Sequence, residues 1–269
     1  MGGLGNNLSQ LFFAYKLQLL GYEIEVNNFL CTKNFITKIL KWSIHDQTVQ
    51  EIYSSKFVIK KINIIKVIAD LILLNISRVF NRWFLKWYFD ANCIGSLNEL
   101  LKQQTRKRIV LAGYWQQLNI YTEHELNEFR DYLFENINKS SLNNLGIHIR
   151  GGDFIKLNRN LNISFYNNAL DQVKEIDSAT IFTNDKNFSR EFLPNSLSYQ
   201  FSLNGNSKND FMEMLSFEKL ICSNSTFSIW AGLLSFAERI IIPQTDGELL
   251  KMNINVESFK TKKIVVLKL

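Results

Sequence analysis

Apolar positions follow two rhythms along this 269-residue chain, and the change falls at a polar run, Asn136 to Asn144. Ahead of it, the opening Gly2-Gly3-Leu4-Gly5-Asn6-Asn7 reads as a loop. Leu8, Leu11, Phe12, Tyr15 and Leu19 then recur at steps of three and four, the spacing of one helix face, and Gly21 closes the pattern. Tyr22 to Val26 alternates like a strand. A glycine-rich turn that opens a helix normally follows a strand. This chain begins at the turn, so the expectation is that either the true start lies upstream of Met1 or the first strand was lost. Arg108 to Ala112 reads as a short strand ending at Gly113-Tyr114-Trp115-Gln116, and Leu126, Phe129, Leu133 and Phe134 mark a helix after it. Beyond the polar run, short apolar stretches take over: Leu145–Arg150, Thr180–Thr183, Lys219–Cys222 and Ile240–Ile242, the last ending at Pro243. Helical patterns separate them, over Phe165–Val173, over Asp210–Phe217 and from Asn224 through Leu234. Strands alternating with helices predict a parallel α/β sheet, with ligands at the carboxyl ends of its strands.

The segment from Lys56 to Phe89 stands apart. Val58, Ile62, Ile65, Ala69, Ile72, Ile76, Val79 and Trp83 form a four-and-three stripe that predicts helix. Lys56, Lys60, Lys61, Lys66, Arg78, Arg82 and Lys86 oppose the single acid Asp70, and Trp83, Phe84, Trp87, Tyr88 and Phe89 close the segment. These charges interrupt every apolar run well short of the ~20 residues that cross a bilayer. Two readings stay open: a core helix pair with solvated basic flanks, and an interfacial patch lying on an anionic membrane surface.

Composition narrows the class. Hydrophobic residues make up 46% and charged residues 21%, which is globular usage and excludes a disordered or collagen-like chain. The net charge of +6 is too modest to imply a nucleic-acid partner. Cys31, Cys93 and Cys222 are widely spaced and odd in number, and His45, His124 and His148 are equally scattered. Neither a disulfide framework nor a metal centre is expected. The N-terminus lacks a basic region followed by an apolar core, so a reducing, cytoplasmic compartment is the expectation.

Polar clusters sit where the predicted strands end. In His148-Ile149-Arg150-Gly151-Gly152-Asp153, the arginine closes a strand and the glycines admit a ligand to the backbone. A guanidinium there suits a diphosphate. Asp153 then braces the arginine or caps the next element, and the alternative is a plain Arg–Asp turn pair. Asn224-Ser225-Thr226-Phe227-Ser228 joins a strand to a helix, either as an ordinary N-cap or as an anion site at a helix N-terminus. Asn184-Asp185 ends another strand. Asp210 is either a helix cap or a carboxylate facing the N–H groups of a guanine.

Four of these stretches, in this order, resemble the bacterial α-1,2-fucosyltransferases of glycosyltransferase family 11. GGLGNNLSQLFFAY is similar to the family's opening loop and helix, and GYWQ at 113–116 to its mid-chain element. HIRGGDF at 148–154 is similar to the HxRRGDY donor motif, with Gly151 in place of the second arginine. The run from Asp210-Phe-Met-Glu-Met-Leu-Ser to Asn224-Ser-Thr-Phe-Ser-Ile-Trp230 is similar to the DxxLMS…NSTFSWW block.

The resemblance implies a GT-B-like fold of two Rossmann-like lobes with a donor cleft between them. The acceptor-side lobe would span 1–140 and the GDP-sugar-binding lobe 141–269. It also implies inverting, metal-independent transfer of fucose from GDP-β-L-fucose, without a cofactor, to a galactose-type hydroxyl of a bacterial surface glycan such as O-antigen. A related transferase with another nucleotide sugar or linkage, and a non-catalytic GDP-sugar-binding protein, are the alternatives. Carried over by position, Arg150 and Asp153 form the catalytic pair and His148 lines the nucleotide pocket. Asp210 reads guanine, and Ser225, Thr226 and Ser228 hold phosphates with the helix N-terminus. Asn6 and Asn7 bring the first loop into the cleft, and Asn184, Asp185, Asn224 and Phe227 complete the substrate-binding set. A lipid-linked acceptor would give segment 56–89 a role in peripheral contact with the inner face of the inner membrane. A general base would come from Glu123, Glu125 or Asp153, and spacing does not choose among them.

Overall fold

The four apolar runs expected after residue 144 all form strands buried along most of their length, three of five residues and one, Lys219–Ile221, of three. The computed structural model describes residues 3–26, 58–59, 68–69, 72–73, 88–90, 110–112, 122–134, 137, 145–173, 176, 178–244 and 256–268. The chain divides into two compact units, residues 1–120 with 252–254, and residues 121–251 with 255–269.

In the first unit, helix α1 (Leu4–Leu19) buries Leu4, Leu8, Leu11, Phe12, Phe13, Tyr15 and Leu17. Its end is a Schellman motif: Gly21, at φ 88°, donates to Gln18 O at 2.9 Å and Tyr22 donates to Leu17 O at 3.1 Å. The positive φ is what selects glycine there. The helix starts at Leu4, which lies four residues before Leu8 on the same apolar stripe, and so takes in the residues read as a loop. Asn6 and Asn7 are therefore residues of its first turn and not of a loop, and Asn7 is buried with its amide donating to Gly3 O at 3.0 Å. Only Glu25–Val26 (β1) of the expected Tyr22–Val26 strand forms, and it pairs in parallel with Val58–Ile59 (β2). Tyr88–Asp90 (β3) pairs in parallel with Val110–Ala112 (β4). The helical stripe drawn from Val58 thus begins in a strand, since β-branched residues also serve a pleated surface. Residues 68–69 and 72–73 are helical. The rest of segment 56–89, and Gly113-Tyr114-Trp115-Gln116, lie outside the described residues. Among the described residues, no helix is long and apolar enough to cross a membrane.

The second unit opens with α2 (Glu123–Leu133), started by a capping box in which Thr122 and Glu125 satisfy each other's backbone N–H. It packs in this unit, the ring of Phe129 meeting Trp230 edge-on at 6.2 Å, so the polar run 136–144 falls inside the unit. Then follow β5 (Leu145–Ile149), α3 (Asp153–Lys156), α4 (Ile163–Asp171), β6 (Ala179–Thr183), α5 (Lys186–Arg190) and β7 (Tyr199–Phe201). The remainder is α6 (Ser207–Met214), β8 (Lys219–Ile221), α7 (Thr226–Leu234), β9 (Arg239–Pro243) and β10 (Lys263–Leu267), with a 3-10 turn at Val256–Ser258.

All six strands are parallel, in the order β10-β9-β8-β5-β6-β7. Numbered from β5 this is 3-2-1-4-5-6 read from the β7 edge, the doubly wound order. Leu145, Ile147, Ile149, Phe165, Tyr166, Ala169, Ile181, Ile221 and Ile241 share one core cluster. Helix α7 is buried from Ser228 to Leu234, Trp230 completely. Ile240–Ile242 is not the last strand: β9 runs through Pro243, and β10 pairs beyond it. Neither edge strand was expected: β7, Tyr199–Phe201, is too short and too polar for an apolar run, whereas Ile264-Val265-Val266-Leu267 of β10 is a run the sequence does show. Two residues expected to offer a general base are tied up in this framework. Glu123 is buried and accepts from the backbone N–H of Lys260 (2.6 Å) and Thr261 (2.9 Å) and from the Thr261 hydroxyl. Glu125 belongs to the capping box.

Candidate functional site

A doubly wound sheet binds its ligands outside the carboxyl ends of the strands, where the order reverses. Here that point lies between β5 and β8, the first strand of the sheet in chain order and the one that begins its return. The register pairs Ile147 with Ile221. Continued by three residues, it sets Arg150 level with Asn224. The two best-supported motifs of the sequence thus meet at one point of the sheet although 74 positions separate them.

Arg150 leaves β5 with a third of its side chain exposed, and its Nη2 lies 2.9 and 3.1 Å from the two carboxylate oxygens of Asp153. The guanidinium also stands 5.3 Å from the ring of Phe154. Its Nε is buried without a hydrogen-bond partner. The loop that carries it turns at Gly152, φ 58° and ψ −107°, a conformation that L side chains rarely adopt. Gly151 answers a different need. A Cβ there would stand 2.8 Å from Asp185 Cβ and 3.0 Å from the Phe188 ring, so the loop closes on α5 only without a side chain. Asn184 secures it, its Oδ1 accepting from Gly151 N at 2.9 Å. Asp185 caps α5 by accepting from Phe188 N at 3.1 Å. Both residues after β6 therefore hold the arginine loop and the helix beside it.

His148 is buried in β5 behind the arginine. Burial first, and the Arg150 charge second, push its pKa down to about 3, so the ring is neutral at physiological pH. Its Nδ1 lies 2.8 Å from Ser223 Oγ, a bond between the two strand ends, and its ring packs at 5.4 Å on Phe227. Phe227 in turn meets Phe211 at 5.5 Å. His148 is a neutral wall of the site and carries no charge toward an anion.

On the β8 side, Asn224 is buried, its Nδ2 donating to Arg159 O at 2.6 Å while Oδ1 has no partner. Ser225 is the N-cap of α7 by its backbone, with no side-chain capping bond, and Thr226 is the first helical residue. Ser228 faces inward. It is fully buried, with its Oγ 3.2 Å from Ser223 O and 3.1 Å from Ser225 O. Its carbonyl accepts from the thiol of Cys222, whose pKa burial pushes up to about 12. The first turn of α7 carries no acidic residue, which leaves its N-terminal dipole uncancelled by its own side chains.

Asp210 lies one element away, in the first turn of α6. Asn206 caps that helix, so Asp210 is not the cap. Its Oδ1 accepts from Ser202 Oγ at 2.5 Å and from Asn204 Nδ2 at 3.4 Å, and Asn204 also donates to Glu213 at 2.5 Å. Ser202, Asn204 and Glu213 were not among the expected site residues. Ser202 and Asn204 follow β7, the edge strand that the apolar pattern misses, whereas Glu213 was visible one helical turn after Asp210. Asn6 and Asn7 belong to the first unit. Among the described residues, no group of three His, Cys, Asp or Glu side chains is arranged to hold a metal ion.

A guanidinium and a helix N-terminus at one switch point can neutralise a diphosphate, and a hydrogen-bonded carboxylate nearby can face a base. A search of curated proteins and a search of solved structures each found no match. Residues 54–263, well over half of the chain, match the family model described as glycosyl transferase family 11, and that interval contains every element of the sheet up to the start of β10. With its α/β sheet and this site inside the matched interval, the chain belongs to glycosyl transferase family 11, a family of fucosyltransferases, and is read accordingly as a glycosyltransferase acting on a nucleotide-sugar donor and a glycan acceptor.

Proposed function

We propose that the protein is an inverting fucosyltransferase that moves fucose from GDP-β-L-fucose to the 2-hydroxyl of a galactose-type residue on a bacterial surface glycan such as O-antigen. The observation that carries this reading is the meeting of Arg150 and the α7 N-terminus at the β5/β8 switch point. The acceptor oxygen attacks the anomeric carbon from the face opposite GDP. The bond from that carbon to the β-phosphate oxygen breaks, its electron pair leaves with GDP, and the acceptor proton passes to a base. Neutralising the departing diphosphate is the main electrostatic task. Arg150 performs it by turning to the diphosphate from its pair with Asp153, and the N–H groups of Ser225 and Thr226 add the helix dipole. Asp210 accepts from the guanine N–H groups, while His148 and Phe227 wall the nucleotide. Neither step calls for a metal or an organic cofactor. Of the three carboxylates available as a base, Asp153 is the one at the strand ends, since Glu123 and Glu125 are engaged in structure.

The GT-B-like pairing of two lobes belongs to the same proposal, with the first unit, residues 1–120, serving the acceptor. So does peripheral contact of segment 56–89 with the inner face of the inner membrane, which its charge and aromatic content support. Flotation with vesicles rich in anionic lipid checks the contact, and folded protein that stays unbound removes it.

The deciding experiment measures GDP released from GDP-fucose, with and without a galactose-terminated acceptor, in the presence of EDTA. Acceptor-dependent release that survives chelation is expected, with a loss of about 100- to 1000-fold in Arg150→Ala. Turnover by folded Arg150→Ala within a factor of ten of wild type would remove the assigned role. Release that EDTA abolishes would remove the metal-independent mechanism. GDP binding without turnover across a broad acceptor panel would favour a non-catalytic GDP-sugar-binding protein.

A further inference from the structure

Arg150 and Asn224 each leave one buried polar atom without a partner, Nε of the arginine and Oδ1 of the asparagine. The first is a donor and the second an acceptor. Their residues leave adjacent strands at the same level of the continued register. The Asn224 amide cannot turn over freely. Its Nδ2 donates to Arg159 O at 2.6 Å, and only the NH2 end can make that bond, so Oδ1 is the end left over. An amide oxygen has nothing to offer a phosphate, although it sits in the loop whose neighbours carry N–H and O–H donors. Arg150 is paired through Nη2 with Asp153, whose carboxylate is half exposed and whose hold is correspondingly weak.

We propose that Asn224 is a positioning residue for Arg150: when the guanidinium turns from Asp153 to the diphosphate of the donor, its Nε–H donates to Asn224 Oδ1. That one movement satisfies both orphaned atoms. It also fixes the plane of the guanidinium, so that the two Nη groups meet phosphate oxygens in the paired geometry an arginine fork requires. The bond forms in the protein interior, where a charge-assisted hydrogen bond is stronger than one at the surface. Through Nδ2 and Arg159, the same amide ties the strand end to the chain that follows α3, so the asparagine is itself held in place. The inference rests on the GDP-sugar reading of the site.

The test is calorimetric titration of GDP into the full chain for wild type, Asn224→Ala, Arg150→Ala and the double variant. Asn224→Ala is expected to weaken GDP binding by about 10- to 100-fold. In the Arg150→Ala background the same substitution is expected to change nothing further, because Asn224 acts through the guanidinium. An equal loss in both backgrounds overturns the proposal and leaves the donor reading intact. Wild-type protein that binds no GDP removes both. A second readout follows the arginine Nε–H signal in 15N–1H spectra. GDP should shift the Arg150 signal in wild type and in Asn224→Asp, which keeps the acceptor but loses the donor to Arg159. No shift in Asn224→Asp would mean that Asn224 serves only to hold Arg159, and no shift in GDP-bound wild type would equally end the proposal.

Discussion

Acidification sets His148 against its own surroundings. The unfolded chain takes up a proton on this ring near the ordinary pKa of 6.5, whereas burial and then the Arg150 charge hold the folded ring's pKa near 3. Between those values the unfolded state binds more protons, so stability falls as pH falls. The stabilising contribution is complete above pH 6.5 and is lost progressively toward pH 3. Each pH unit in that window is worth about 1.4 kcal/mol per fully unmatched proton, so this one ring removes on the order of 3 kcal/mol by pH 4.5. That is a large part of the ~5–15 kcal/mol that folds a typical domain. The assay is urea unfolding at pH 7, 5.5 and 4.5 for wild type and for His148→Gln, which keeps a hydrogen-bonding partner for Ser223 but does not titrate. Glu123 also contributes to acid sensitivity. Burial alone raises its pKa, but the bonds from Thr261 and Lys260 outweigh that and hold it below the usual range. It does so in both proteins and cancels in the comparison. The stability of His148→Gln should decline less steeply, by about 3 kcal/mol over the range. Parallel pH dependences for the two proteins would refute the reasoning, and would mean that the ring charges without penalty.

Gly152→Ala forces a Cβ into a backbone at φ 58°, 2.7 Å from Asn184 Nδ2. We expect a loss of about 2–4 kcal/mol in urea unfolding, from backbone strain and from the displaced Asn184 bond, and a loss below ~1 kcal/mol would contradict that account of the loop. Ser228→Ala removes a hydroxyl turned toward the carbonyls of Ser223 and Ser225. Stability should fall by about 1–2 kcal/mol with GDP affinity unchanged. The reverse outcome, intact stability with weakened GDP binding, would place that hydroxyl at the donor.

Much of this protein was readable residue by residue. Strands buried on both faces must be continuously apolar, so β5, β6, β8 and β9 announce themselves as runs, and the helices between them keep a three-to-four rhythm. The polar residues at the strand ends are equally visible, because a chain leaving a buried strand for a ligand must change character there. Other features depend on neighbours distant in sequence. The half-exposed edge β7 carries a weak pattern, and with it go Ser202 and Asn204, the partners of Asp210. The inward turn of Ser228, the neutrality of His148 and the capture of Glu123 by Lys260 and Thr261 are set by packing, which decides where each polar group finds its partner. Above all, no local signal encodes strand order. Residue types place an arginine at the end of one strand and a helix N-terminus after another, but only the tertiary structure makes β5 and β8 neighbours, because that order buries every apolar strand and keeps its crossovers on the sheet's two faces.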